Sequence, residues 1–289
     1  MTTQHPVTLN NLTKHYDGFD LNVSMTLPSG TVTGLVGRNG SGKTTTLKAI
    51  LGLIKPDGGE ITVLGKNPRE FTSRDKEDLG VMMTNLGLKG TITVTTVIAM
   101  LRAMYSSFDE EFFLRQCKEQ HLPLKKKLQE FSTGMKAKLY VLIAISHNAK
   151  LLILDEPTAG LDVVSRTEML DLLREFLAQD SDRSVLISSH ISTDLEGLCD
   201  NICFISDGQI ALCEDTDVIL DQYGILKVSE ADFESLDHSH ILTTRKESYG
   251  YSCLTDERQY YIENYPSIVV ENGSIDNVAI QMLTGRKLS

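Results

Sequence analysis

The sequence predicts an α/β fold: a mixed sheet core around a phosphate-binding loop, a helical subdomain, and a small α+β extension at the C-terminal end. Three observations predict it. Gly37-Arg38-Asn39-Gly40-Ser41-Gly42-Lys43-Thr44 fits the pattern G-x-x-x-x-G-K-[ST] and sits between an apolar β-branched run, Thr31 to Val36, and a helical stretch, Thr44 to Leu53. Leu151 to Leu154 are four aliphatic residues that end in Asp155 and Glu156, the pattern of a buried parallel strand with carboxylates at its ligand-binding edge. Between these two stretches, residues 93–147 carry apolar stripes at helical spacing.

In chain order, Phe19, Leu21, Val23, Met25 and Leu27 alternate as a strand with one buried face. Tyr16 precedes them; its ring is placed to stack on a flat base or else is a strand-edge tyrosine. The three glycines of the loop allow a tight turn with inward N–H groups, and the positive end of the following helix favours phosphate. Lys43 should reach the β- and γ-phosphates, and Thr44 should ligate Mg²⁺; Thr45 continues the contact. Lys55-Pro56-Asp57-Gly58-Gly59 stops the helix. Ile61 to Leu64 and Leu79 to Met83 are further strands, with a short helix or loop over 68–78. Val94, Val97, Ile98 and Leu101 form one helical stripe, and Phe112, Phe113 and Cys117 another. Ser132 is placed as the N-cap of an apolar helix from Lys136 to Ser146. Asp155 suits Mg²⁺, and Glu156 suits the polarising of a water. A helix follows to about Gln179, then a strand from Ser184 that ends at His190, then a hairpin around Ser206-Asp207-Gly208.

Composition bounds the function. The 289 residues are 41% hydrophobic and 23% charged, with a net charge of −11. That balance speaks against non-specific nucleic-acid binding, which needs a basic surface. Five cysteines without a C-x-x-C pair predict buried reduced thiols rather than a disulfide framework or a zinc site. No signal peptide is visible. The longest apolar run, Leu139 to Ile145, is far short of the ~20 residues of a membrane span.

The ordered set GRNGSGKT at 37–44, FSTGM at 131–135, LLILDEP at 151–157, AGLD at 159–162 and SSH at 188–190 resembles the ATP-binding subunit of ABC transporters, over about residues 5–215. The likeness is closer to bacterial exporter ATPases of the multidrug and antimicrobial-peptide type. The resemblance implies a domain over 1–214, with its helical subdomain over about 86–147. It also implies two such domains that sandwich two ATP molecules head to tail. Ser132 and Gly134 would then contact the partner's ATP, Glu156 would be the general base, and His190 would touch the γ-phosphate. Asp155 would organise Mg²⁺, Tyr16 would stack on adenine, and Asp162 would couple the two sites. The expected partners are a membrane permease subunit and either a second copy or a second, different ATP-binding subunit. The expected location is the cytoplasm, peripheral on the inner face of the membrane.

Two stretches depart from the family pattern. Thr133 and Met135 replace the usual Gly and Gln of the signature stretch. After Met83, where the family has a metal-binding glutamine, the sequence has Thr84 and then Asn85. Residues 215–289 carry 13 acidic against 6 basic side chains, which suits a protein-facing or regulatory surface. They hold strand-like runs at Ile225–Val228, Tyr260–Ile262 and Ile268–Val270 and a helical stretch from Ser274 to Leu283. The rival reading is a slow ATP-gated regulatory module that acts on a protein partner. A soluble translation or repair ATPase fits less well, for want of a second ATPase domain or a coiled-coil insertion.

Overall fold

The computed structural model describes residues 5–83, 87–190 and 195–286. Thr84 and Asn85 lie outside the described residues. The strands are β1 (Val7–Tyr16), β2 (Phe19–Leu27), β3 (Val32–Val36), β4 (Gly58–Val63), β5 (Leu79–Met82), β6 (Leu151–Asp155), β7 (Ser184–Ser189), β8 (Asn201–Ser206), β9 (Gln209–Asp215), β10 (Gly224–Val228), β11 (Ile241–Glu247), β12 (Gly250–Thr255) and β13 (Val269–Asn272). The helices are α1 (Lys43–Ile50), α2 (Ser73–Glu77), α3 (Val94–Met104), α4 (Glu110–Glu119), α5 (Thr133–Ile145), α6 (Val163–Leu177), α7 (Thr216–Gln222), α8 (Glu230–Ser235), α9 (Arg258–Asn264) and α10 (Ile275–Thr284).

Nine strands form a mixed sheet in the order β4-β1-β2-β9-β8-β3-β7-β6-β5. Its centre, β8-β3-β7-β6-β5, is parallel, whereas β4-β1-β2 is antiparallel. The parallel strands are buried along almost their whole length because both faces are covered. On β6, Leu151 and Ile153 face the core shared with Leu47 and Ile50 of α1. Leu152 and Leu154 face the opposite core, shared with Leu139 and Leu142 of α5 and Leu173 and Phe176 of α6. The stripes Val94, Val97, Ile98, Leu101 of α3 and Phe113, Cys117 of α4 are buried in that second core. All five parallel strands run into the sheet edge where the glycine-rich loop lies, because β3 feeds directly into it.

The second sheet, β11-β12-β10-β13, is antiparallel. Its two faces differ. Ile225 and Leu254 join the core beside Phe204 and α10. Leu226, Val228 and Cys253 turn to a small core with Leu236 and Tyr261. One expectation fails here. Tyr260–Ile262 is not a strand but lies in α9, where helical spacing brings Tyr261 and Tyr265 onto one side and Tyr261 is fully buried. The Tyr261 hydroxyl donates to Asp237 O (2.7 Å), a tertiary bond that overrides the strand preference of aromatic residues. The β11–β12 hairpin turns at Ser248-Tyr249 and carries no asparagine–glycine signal.

The cysteines divide. Cys117, Cys199 and Cys253 are buried thiols, as expected, whereas Cys203 and Cys213 are joined as a disulfide. The cause is register: the two residues face each other directly across the β8–β9 ladder. Among the described residues no helix is long and apolar enough to cross a membrane.

Candidate nucleotide site

The site is built where β3, β6 and β7 end. The loop after β3 turns through Gly40 (φ 83°) and Gly42 (φ 113°), both in the left-handed region. Gly37 is required for space as well: a Cβ there would lie 2.4 Å from Ile205 O. Gly42 is the N-cap of α1, and no side chain accepts from the helix's first amides. Those orphan N–H groups and the dipole therefore face the loop.

Lys43 is almost fully buried, and its Nζ donates to Gly37 O (2.7 Å) and Arg38 O (3.2 Å). It also lies 3.2 Å from Glu156 Oε1. Thr44 Oγ1 donates to Asp155 at 3.2 and 3.1 Å from its two oxygens. Glu156 has φ 53°, a left-handed conformation unusual for a residue with a side chain and typical of a site held under strain. Its Oε2 accepts from the His190 ring and from the His190 N–H (3.3 Å). Glu156 thus lies between two cationic or donor groups, Lys43 and His190.

Ser188 was not anticipated from the sequence. Its Oγ donates to Asp155 Oδ1 (2.7 Å) and accepts from Glu156 N–H (3.0 Å), so one hydroxyl fixes both acids. The signal was the register of β6 against β7, which sets Asp155 opposite Ser188.

A cleft of about 770 Å³ is lined by Gly18, Phe19, Arg38–Gly40, Gly42–Thr45, Glu156, Ala159 and His190. Tyr16 is exposed at the end of β1 and is not among the lining residues, although Phe19 is. Ser41 belongs to the loop, and its buried Oγ has no hydrogen-bond partner among the described residues. Ser132 and Gly134 lie elsewhere. Ser132 caps α5 by accepting from Met135 N–H (3.2 Å). Gly134 sits against Ser165, whose N–H and hydroxyl donate to Asp162 (2.9 and 3.0 Å). Those bonds from Ser165 hold the Asp162 carboxyl below its usual range. The signature stretch and Asp162 are therefore neighbours, and neither lines the cleft.

The residues fit a nucleoside triphosphate. Backbone donors and a buried lysine converge on a space large enough to hold it. Thr44 Oγ1 and the Asp155 carboxylate are hard oxygen donors of the kind that take a magnesium ion together with phosphate oxygens.

The chain is similar to known proteins in sequence and fold. The family model for ABC transporters matches residues 21–159. The ABC transporter ATP-binding protein YtrB of Bacillus subtilis (strain 168) is 33% identical over 219 residues, covering 75% of this chain and 74% of that one. The linearmycin resistance ATP-binding protein LnrL of the same strain is 29% identical over 294 residues, 92% of this chain and 93% of its own. The lantibiotic transport ATP-binding protein SrtF of Streptococcus pyogenes is 33% identical, covering 72% and 90%. A solved ATP-binding subunit of an ABC transporter superposes with a TM-score of 0.66 at 25% identity, covering 75% and 92%. A dimeric ATP-binding cassette in a post-hydrolysis state with ADP and Pi gives 0.64 at 22% identity, covering 73% and 98%, which shows a shared fold. A phosphate loop, paired acids and a strand-end histidine that meet at one sheet edge are thus joined to relatives of matching length, and the chain belongs to the ABC transporter family as an ATP-binding, ATP-hydrolysing subunit.

Proposed function

We propose that this subunit powers export by a separate membrane permease, and that it works as an ATP-closed dimer with a second copy or a related subunit. The observation that carries the dimer is the division of the site. The phosphate loop, Glu156 and His190 share one cleft, with Asp155 bonded to Thr44 of the loop, whereas Ser132 and Gly134 lie outside it, beside Asp162. A second chain placed head to tail would bring its signature stretch to this cleft. Export is supported by the relatives, two of which are named for linearmycin resistance and lantibiotic transport. The proposed substrates are accordingly amphipathic antimicrobial molecules. The proposed location is the inner face of the membrane, through the permease.

In the proposed mechanism, the α1 amides and Lys43 bind the phosphates, while Thr44 and Asp155 hold Mg²⁺. When bound, Mg²⁺ neutralises phosphate charge. Phosphate oxygens compete with Glu156 for Lys43 and His190. Released from them, the Glu156 carboxylate accepts a proton from the attacking water. Ser188 keeps Asp155 and Glu156 in register throughout. Tyr16 stacks on adenine once the cleft is filled. We assign residues 1–214 to the ATPase domain and 215–289 to an accessory extension.

Glu156→Gln tests this. ATP hydrolysis should fall about 10²–10⁴-fold while ATP binding persists and a dimer accumulates with ATP. Hydrolysis at the unmutated rate would remove Glu156 from its role, and a monomer with ATP bound would remove the shared site.

A further inference from the structure

The extension holds the segment Leu195 to Asp200, and it holds it from two sides. Leu195 is buried under the parallel sheet, close enough that a Cβ on Gly34 of β3 would lie 2.9 Å from its side chain. Asp200 exchanges two bonds with Val32 at the start of β3: its N–H donates to Val32 O (2.9 Å), and its carboxylate accepts from Val32 N–H (2.7 Å). Arg174 of α6 donates to Gly197 O (3.1 Å).

The remaining contacts come from the extension. At the start of α7, the Thr216 hydroxyl donates to Cys199 O (2.6 Å) and its N–H to Asp200 O (2.8 Å). At the start of α10, the Ile275 N–H donates to Glu196 Oε1 (3.2 Å). This amide is the first of its helix and has no acceptor within it. The Ser274 hydroxyl accepts instead from Asn277 N–H (3.1 Å). A half-buried carboxylate of the ATPase thus caps the positive end of the extension's last helix. Ile275, Val278 and Ala279 then bury against the core that contains Leu195 and Cys199.

We propose that Glu196 is a positioning residue for hydrolysis. It ties α10 to the chain six residues beyond His190 and so fixes where the imidazole meets Glu156 and the terminal phosphate. The proposal rests on the reading of His190 given above. A carboxylate that served α10 alone would affect folding and leave turnover unchanged. One that positions His190 affects turnover, and does so only while His190 is present.

The experiment measures kcat, KM for ATP and thermal unfolding for Glu196→Ala, Glu196→Gln, His190→Ala and the double variant Glu196→Ala/His190→Ala. Glu196→Ala should lower kcat about tenfold, the order expected of a small misplacement. KM should change by less than about twofold, because ground-state binding is not touched. Glu196→Gln keeps the accepting oxygen and should restore most of the rate. The double variant should turn over no more slowly than His190→Ala alone, since effects that act through one group do not add. Wild-type kcat in Glu196→Ala overturns the proposal, as does a full further tenfold loss on the His190→Ala background. If Glu196→Ala is poorly folded at the assay temperature, a Glu196→Gln rate equally low in a protein of wild-type stability also overturns it. Wild-type turnover in His190→Ala alone would instead show that the reading of His190 is wrong.

Discussion

α1 and α5 each have a glycine at or just inside the helix start, and they treat their first amides in opposite ways. At α1, Gly42 occupies the N-cap in a left-handed conformation and supplies no side-chain acceptor. At α5, Ser132 is extended and accepts from Met135 N–H. Side chains likewise cap α2, α3, α4, α6, α8 and α10. Among the described residues three helices lack such a cap, and of these only α1 opens into the cleft; α7 and α9 are short and belong to the extension. A capped helix start has spent part of its donor capacity, whereas an uncapped one in a cleft is available to an anion. In the proposed dimer, this difference would separate the half of the site that binds a phosphate alone from the half that complements a phosphate already held. At Ser132 the oxygen serves its own helix, and the hydroxyl proton would be left to meet a partner's nucleotide in the proposed dimer.

The largest effect should come from removing the cation at the uncapped end. Lys43→Ala should weaken ATP binding by the isolated chain between about tenfold and a hundredfold, the range of a hydrogen bond to a charged group. Titration calorimetry reads it directly, and unchanged affinity would erase the distinction between the two helix starts. At the capped end, Ser132→Asp should leave binding by the isolated chain as it was and keep α5 capped, since Asp is as good an N-cap as Ser. It should nevertheless abolish ATP-driven dimerisation, because it sets a carboxylate against phosphate. Ser132→Ala should behave differently, with a stability loss of about 1 kcal/mol from the missing cap. A dimer formed normally by Ser132→Asp would show that this helix start meets no nucleotide.

The smallest effect lies at the other end of α5. His147 follows that helix, is buried, and stacks on Tyr105; its ring nitrogens lie 3.0 Å from Leu79 O and 3.2 Å from Ile143 O. Burial holds its pKa below the usual 6.5. Below pH 6.5 the unfolded chain therefore takes up a proton that the folded chain refuses. The stability tied to neutral His147 is complete above that pH and declines on acidification, by at most about 1.4 kcal/mol per pH unit. Denaturant melts between pH 7 and 5 should show this slope in the wild type and a flatter one in His147→Gln. Equal slopes would mean that the imidazole titrates alike in both states.

The motifs carried most of the nucleotide site because their chemistry is local. A glycine loop, its lysine and a strand-end acid pair each occupy consecutive positions, so spacing alone reports them. Ser188 was hidden because its role comes from lying beside Asp155 in the next strand, 33 residues away. The same holds for Phe19, which lines the cleft while Tyr16, three residues earlier, does not. In the extension, Tyr260–Ile262 has strand-like composition, yet the hydrogen bonds of Tyr260 and Tyr261 to Asp237 hold it in a helix. The Cys203–Cys213 pair depends on hairpin register, which cysteine spacing does not state.

The sequence by itself determined the parallel core, the phosphate loop and the identity of its lysine, acids and histidine. Hydrophobic period and short-range backbone geometry govern those features, and both are written in neighbouring residues. Only the tertiary structure decided that Glu156 sits between Lys43 and His190, that Ser132 and Gly134 do not line the cleft, and that α10 is capped by Glu196. Each of these joins groups far apart in the chain, and strand order and core packing, rather than spacing, set the distance between them.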